Sequence, residues 1–194
     1  MMNGKTELVI IGGSAGSLQV ILELVRGLDA DLGFAIVLVV HRKAQSTSIL
    51  PILLQQFSLL EVMEIEDKTE IQANKIYIAP ADYHLLFDDK TNVSLDRSEK
   101  LHFSRPSIDV SFRSASEVYE GGLVAVLLSG ANSDGVEGLQ YVKRNGGQVW
   151  IQNPETAEID FMPKQAVDHV YFDLIITPEN LPRYINQLNK NNKL

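Results

Sequence analysis

Apolar residues in this chain gather in short unbroken runs, and between the runs apolar positions recur every three or four residues. Leu8-Val9-Ile10-Ile11 is the first run, broken by Gly12-Gly13, and Leu18, Ile21, Leu22, Val25 and Leu28 follow at helical spacing. This predicts a strand, a tight turn and a helix. Phe34 to Val40 shows no polar alternation and is rich in β-branched residues, as expected for a parallel strand buried on both faces, and it stops at His41. Ser46 to Gln56 suits another helix, whose start Pro51 restricts, and Leu59–Ile65 suits a short strand.

The middle of the chain changes character. Lys75–Pro80, Tyr83–Phe87 and Asn92–Leu95 are short strand-like pieces separated by Pro, Asp-Asp-Lys and Asn, and they predict antiparallel hairpins. After Arg105-Pro106, Ser107 is placed to cap a helix that runs to Tyr119 and ends at Gly121-Gly122. Leu123–Leu128 is a third buried-type strand, followed by the small, polar loop Ser129-Gly130-Ala131-Asn132-Ser133-Asp134-Gly135. Val136–Arg144 predicts a helix closed by Asn145-Gly146-Gly147, Gln148–Gln152 a strand, and further helices start near Pro163 and after Thr177-Pro178. The alternation implies an α/β fold in three layers: a doubly wound, mostly parallel sheet with an antiparallel β-hairpin insert, in a single domain over residues 1–194.

Composition narrows the chemistry. With no cysteine, disulfides, thiolate metal sites and cysteine nucleophiles are excluded. Seventeen Lys+Arg against 25 Asp+Glu give a net charge of −8, which disfavours nucleic acid, because a phosphate backbone is held mainly by cations. The apolar runs are far shorter than the ~20 residues that span a bilayer. Met1–Glu7 has no signal-peptide core. A soluble, cytoplasmic protein that is not embedded in a membrane is therefore expected.

In open α/β sheets ligands bind outside the carboxyl ends of the strands. Ser14 follows the first buried strand, His41 the second, and Asp134 stands in the loop after the third, so residues far apart in sequence fall on one sheet edge as candidate nucleophile, base and orienting carboxylate. Gly12-Gly13-Ser14-Ala15-Gly16 is a G-x-S-x-G turn between strand and helix, which lifts a serine hydroxyl clear of the sheet beside a helix N-terminus. The same turn also suits a glycine-rich connection with Ser14 as a helix N-cap. A dinucleotide-binding turn fits poorly: glycines at 12, 13 and 16 match no G-x-G-x-x-G register, and the second strand ends in His41 rather than an acidic residue. Asp134 equally suits a turn or cap role. His84 lies in the hairpin segment, lining or capping the site, whereas His102 and His169 read as surface or core polar residues. No cluster has metal-ligand spacing, so neither metal nor cofactor is expected.

Ile10 to Gly16, Val39-Val40-His41, Ile76 to His84, Arg105-Pro106-Ser107-Ile108-Asp109-Val110 and Leu128 to Leu139, taken together and in this order, resemble the catalytic domain of the chemotaxis protein-glutamate methylesterases, the CheB type. Phe161-Met162-Pro163-Lys164-Gln165-Ala166 resembles that family's Met-Pro segment near the substrate cleft. The resemblance implies hydrolysis of glutamyl γ-methyl esters on the cytoplasmic helical domain of chemoreceptors, with glutamine deamidation as a second activity. It also implies that Ser14, His41 and Asp134 form the triad and that the backbone N–H groups of Ala15 and Ala131 are oxyanion donors. Ala15 stands where the family usually has threonine, Ser17 where it usually has a second glycine, and Ala131 where methionine is common. Family members typically carry a receiver domain ahead of the catalytic domain, but here Met1 stands only 13 residues before Ser14. A free-standing esterase with a separate regulatory partner, a diverged paralogue and a fragment all remain open. So does a non-catalytic or repurposed binding module of the same fold.

Overall fold

The computed structural model describes residues 5–43 and 48–192. Its elements in chain order are β1 (Leu8–Gly13), α1 (Leu18–Gly27), β2 (Ala35–Val40), α2 (Leu50–Gln55), β3 (Glu61–Glu64), β4 (Lys75–Ile78), β5 (His84–Phe87) and β6 (Val93–Asp96). They continue with α3 (Ile108–Tyr119), β7 (Leu123–Leu127), α4 (Val136–Arg144), β8 (Gln148–Gln152), α5 (Phe161–His169), β9 (Leu174–Ile176) and α6 (Leu181–Asn192). Seven strands form one sheet in the order β3-β4-β2-β1-β7-β8-β9, with every neighbouring pair parallel. β5 and β6 make a separate antiparallel pair.

The three central strands β2, β1 and β7 are buried along their whole length. Successive side chains point to opposite faces, so each strand must feed two cores. Leu8, Ile10, Val37, Val39, Ala125 and Leu127 pack with Phe112 of α3, Leu139 of α4 and Met162 of α5. Val9, Ile11, Ile36, Leu38, Val124 and Val126 pack on the other side with Ile21 and Leu24 of α1, Leu54 of α2 and Ile185 of α6. The result is the three-layer arrangement expected from the runs, with the β5–β6 pair laid over α3. There Ser111 donates to the Leu85 carbonyl (3.0 Å) and Phe87 stacks edge-on against Tyr119.

One expectation changes and one strand is added. Lys75–Ile78 is no hairpin strand: β4 lies inside the parallel sheet between β2 and β3. Tyr77, on the α3 side, is fully buried because its hydroxyl accepts from Gln72 N–H (2.9 Å) and donates to the Glu70 carbonyl (3.1 Å). β9, which the apolar pattern did not mark, adds a three-residue edge strand beside β8. The helix expected from Ser46 to Gln56 begins outside the described residues, and α2 itself covers Leu50–Gln55.

α3 and α4 approach each other closely at Gly138. A Cβ there would lie 2.7 Å from Phe112 Cβ and 3.0 Å from both the Cα and the carbonyl oxygen of Asp109. Backbone cannot yield as the tip of a side chain can. Gly138→Ala is therefore expected to destabilise the protein by about 1–3 kcal/mol through overpacking, although alanine is the better helix former. A urea midpoint equal to that of the unsubstituted protein would contradict this close packing.

Candidate active site

The chain winds from β1 outward to β2 on one side and later returns to β7 on the other, so the strand order reverses at β1, where open α/β sheets form a crevice. Backbone hydrogen bonds tie the three strand ends together. Leu128 N–H donates to the Gly12 carbonyl (2.9 Å), Ser14 N–H to the Ser129 carbonyl (2.9 Å) and His41 N–H to the Gly13 carbonyl (3.1 Å). Ser14 and His41 are thereby neighbours across the β1–β2 edge, half-buried in both cases.

The turn after β1 is held by its carbonyls. The Ser17 hydroxyl donates to the Ser14 carbonyl (2.7 Å), and the Ser129 hydroxyl donates to the Ala15 carbonyl (2.8 Å). Gly16 sits at φ +81°, and a Cβ there would meet Ser129 Oγ at 2.6 Å, so this position needs glycine on both counts. By contrast, among the described residues the N–H groups of Ala15 and Ala131 have no hydrogen-bond partner, nor does the Ser14 hydroxyl. The turn thus leaves a hydroxyl and backbone donors available to a ligand. The loop after β7 closes on α5 from the other side: Met162 N–H donates to the Gly130 carbonyl (3.0 Å), and a Cβ on Gly130 would collide with the Met162 sulfur (2.7 Å).

His41 and Asp134 are brought together. His41 Nε2 lies 2.7 Å from Asp134 Oδ2, and the carboxylate is fully buried. The opposite ring nitrogen, Nδ1, is left facing a long contact from the Ser104 hydroxyl (3.4 Å). Asp134 owes its position to the start of α3. Oδ2 also accepts from Ile108 N–H (2.7 Å), while Oδ1 accepts from Asp109 N–H (2.9 Å) and the Ser107 hydroxyl (3.0 Å). Burial by itself pushes this carboxyl upward, but the His41 bond and the Asp109 and Ile108 N–H groups outweigh it, and the group is held below the usual carboxylate range. The magnitudes agree with that balance: three donors to a charged acceptor, at about 1.5–3 kcal/mol each, match the several kcal/mol that burying the ion costs. The positive end of α3 adds to them.

Among the remaining histidines, His84 does not line the site. It is buried beneath the α3 N-terminus, where Nδ1 accepts from Ser107 N–H (3.0 Å) and Nε2 meets the Glu99 carbonyl (2.8 Å), so it supports Ser107 from behind. His102 is half-exposed beside Asp109, and His169 contacts the Gln165 carbonyl of its own helix. Among the described residues no group of three or more acidic or histidine side chains could hold a metal, and no helix is long and apolar enough to cross a membrane. A cavity of about 420 Å³ opens beside His41, and Arg42, Lys43, Lys100 and Arg105 line it. The donors to Asp134 are what sequence reasoning missed: Ser107 was legible as a cap but not as a ligand of Asp134. Ser107→Ala removes one of those donors and the cap on Val110, and is expected to cost about 1–2 kcal/mol. An unchanged thermal midpoint would show that the hydroxyl is dispensable.

The match of this chain to known proteins covers nearly its whole length. The family model for the CheB methylesterase domain matches residues 9–185. A Leptospira interrogans protein, provisionally named protein-glutamate methylesterase/protein-glutamine glutaminase, is 39% identical, with 96% of each chain covered. The Halobacterium salinarum protein-glutamate methylesterase/protein-glutamine glutaminase is 34% identical over 91% of this chain, which spans only 52% of that longer relative. The crystal structure of the Thermotoga maritima CheB methylesterase catalytic domain superposes with a TM-score of 0.90 at 31% identity, covering 95% of this chain and all of that one. The wholly parallel sheet, the reversal at β1 and this extent of similarity lead to one assignment: the chain belongs to the CheB methylesterase family and has the fold of its catalytic domain.

Proposed function

We propose that this protein is a serine hydrolase that removes methyl groups from glutamyl γ-methyl esters of proteins, specifically those of chemoreceptors in chemotactic adaptation, in a single catalytic domain. The observation that carries this reading is the His41–Asp134 pair, its carboxylate buried, at the same sheet edge as a serine whose hydroxyl has no hydrogen-bond partner among the described residues. The names of the relatives supply the substrate class.

The chemistry follows from the contacts. With Nε2 committed to Asp134, His41 accepts a proton at Nδ1. Ser14 Oγ attacks the ester carbonyl as that proton leaves it, and the tetrahedral oxyanion is held by the N–H groups of Ala15 and Ala131. Collapse breaks the bond to the methoxy oxygen, which takes the proton from the imidazolium and departs as methanol, leaving an acyl group on Ser14. Water then attacks, His41 again takes a proton, and collapse returns that proton to Ser14 and frees the glutamate carboxylate. Asp134 stays ionised throughout, orienting the ring and stabilising its charged form. A glutamine side chain enters the same cycle with ammonia as the leaving group, which accounts for a second, deamidating activity.

The cleft beside His41 is open and polar rather than a deep apolar cavity, which suits a side chain presented on a protein surface. An intact His41–Asp134 pair favours catalysis over a purely binding role. Ser14→Ala is expected to fold normally and to reduce methanol release from methylated receptor by at least about 10⁴-fold. Full methanol release by the folded variant would overturn the mechanism.

A further inference from the structure

The catalytic geometry rests on Asp134, and Asp134 belongs to a second arrangement that the reaction does not use directly. Asp134 precedes α4, where it would ordinarily cap its own helix, and Asp109 lies in the first turn of α3, where it would ordinarily face its own helix's N–H groups. Each carboxylate serves the other helix instead. Asp134 accepts from Ile108 and Asp109 N–H at the start of α3, while Asp109 Oδ1 accepts from Gly135 N–H (2.9 Å) and Gly138 N–H (2.7 Å) at the start of α4. The absence of a side chain at Gly138 permits this approach. Because Asp134 Oδ2 is shared between Ile108 N–H and His41 Nε2, any slip of α4 against α3 moves the carboxylate off the imidazole.

We propose that Asp109 is a positioning residue: by fastening the first turn of α4 to that of α3 it fixes Asp134 on His41. This deepens the hydrolase reading and rests on it for the catalytic consequence. Asp109 has little exposed surface. The charged groups around it are Asp134, His102, whose Nε2 lies 3.3 Å from Oδ2, and Arg113 and Glu137 across the adjoining groove. Burial, and then the neighbouring Asp134 charge, push the Asp109 carboxyl up to about 6, with the Gly138 N–H and His102 opposing. The two carboxylates therefore divide the roles. Asp134 remains ionised under the imidazole, and Asp109 is the one that takes a proton in mild acid.

The test compares Asp109→Ala and Asp109→Asn in the full chain, by the low-field proton resonance of His41 Nε2–H without substrate and by methanol release from methylated receptor across pH. Alanine deletes the acceptor for Gly135 and Gly138. It is expected to shift or abolish the resonance and to lower kcat at least about tenfold, with KM within about twofold. Asparagine keeps an acceptor oxygen but not the charge. It is expected to restore the resonance and kcat to within about threefold of the parent. A folded Asp109→Ala protein with the parental resonance and kcat overturns the proposal. Should Asp109→Ala not fold, Asp109→Glu replaces it: the extra methylene cannot serve both Gly135 and Gly138 N–H with α4 in place, so a parental resonance and kcat in Asp109→Glu overturn the proposal. If the parent protein releases no methanol, the hydrolase reading fails, while the resonance, which needs no substrate, still decides the positioning claim.

Discussion

A carboxylate with no exposed surface must find donors for its oxygens or lose its charge, and the site is organised around how Asp134 meets that constraint. Ile108 and Asp109 supply backbone N–H groups, Ser107 a hydroxyl, and His41 a ring nitrogen. Removing one donor leaves a buried charge short of a partner, a larger cost than losing a surface ion pair. The same constraint couples distant parts of the chain. α3 must start where it does, α4 must lie against it, and β2 must end at His41, or the carboxylate is stranded.

The parallel sheet makes that coupling possible. β2, β1 and β7 are adjacent and run in one direction, so the residues that follow them emerge on a common edge. Their registers are fixed because both faces of each strand are buried in apolar clusters; a slip by one residue would exchange every side chain between the two cores. Ser14 and His41 are then held by backbone hydrogen bonds between strand ends rather than by flexible side chains, which confines most of the remaining freedom to the hydroxyl and the ring themselves.

Much of this was legible from residue patterns, and the parts that were not have physical reasons. The unbroken runs of β1, β2 and β7 carry no polar residue and could only be buried strands, so Ser14, His41 and Asp134 could be placed on one edge from the sequence. β4 was misplaced because Lys75 and Tyr77 imitate the alternation of a half-exposed strand, and only tertiary partners for the Tyr77 hydroxyl explain its burial. β9 is too short for periodicity to mark. Ser107 and Asp109 stand in the Arg-Pro-Ser-Ile-Asp block, but cap preferences point each to its own helix, and the exchange with Asp134 is set by how α3 and α4 pack. Ser17 and His84 act through backbone groups that no side-chain pattern records.

The central claim is that Ser14 is a nucleophile activated by His41 on Asp134. It is tested most directly by treating the protein with a fluorophosphonate, which phosphonylates a serine only where a neighbouring base activates it, and mapping the product by peptide mass. The account predicts one adduct, on the peptide carrying Ser14, and its loss in His41→Ala. No adduct on the folded protein, or an adduct on Ser104 in place of Ser14, would contradict it.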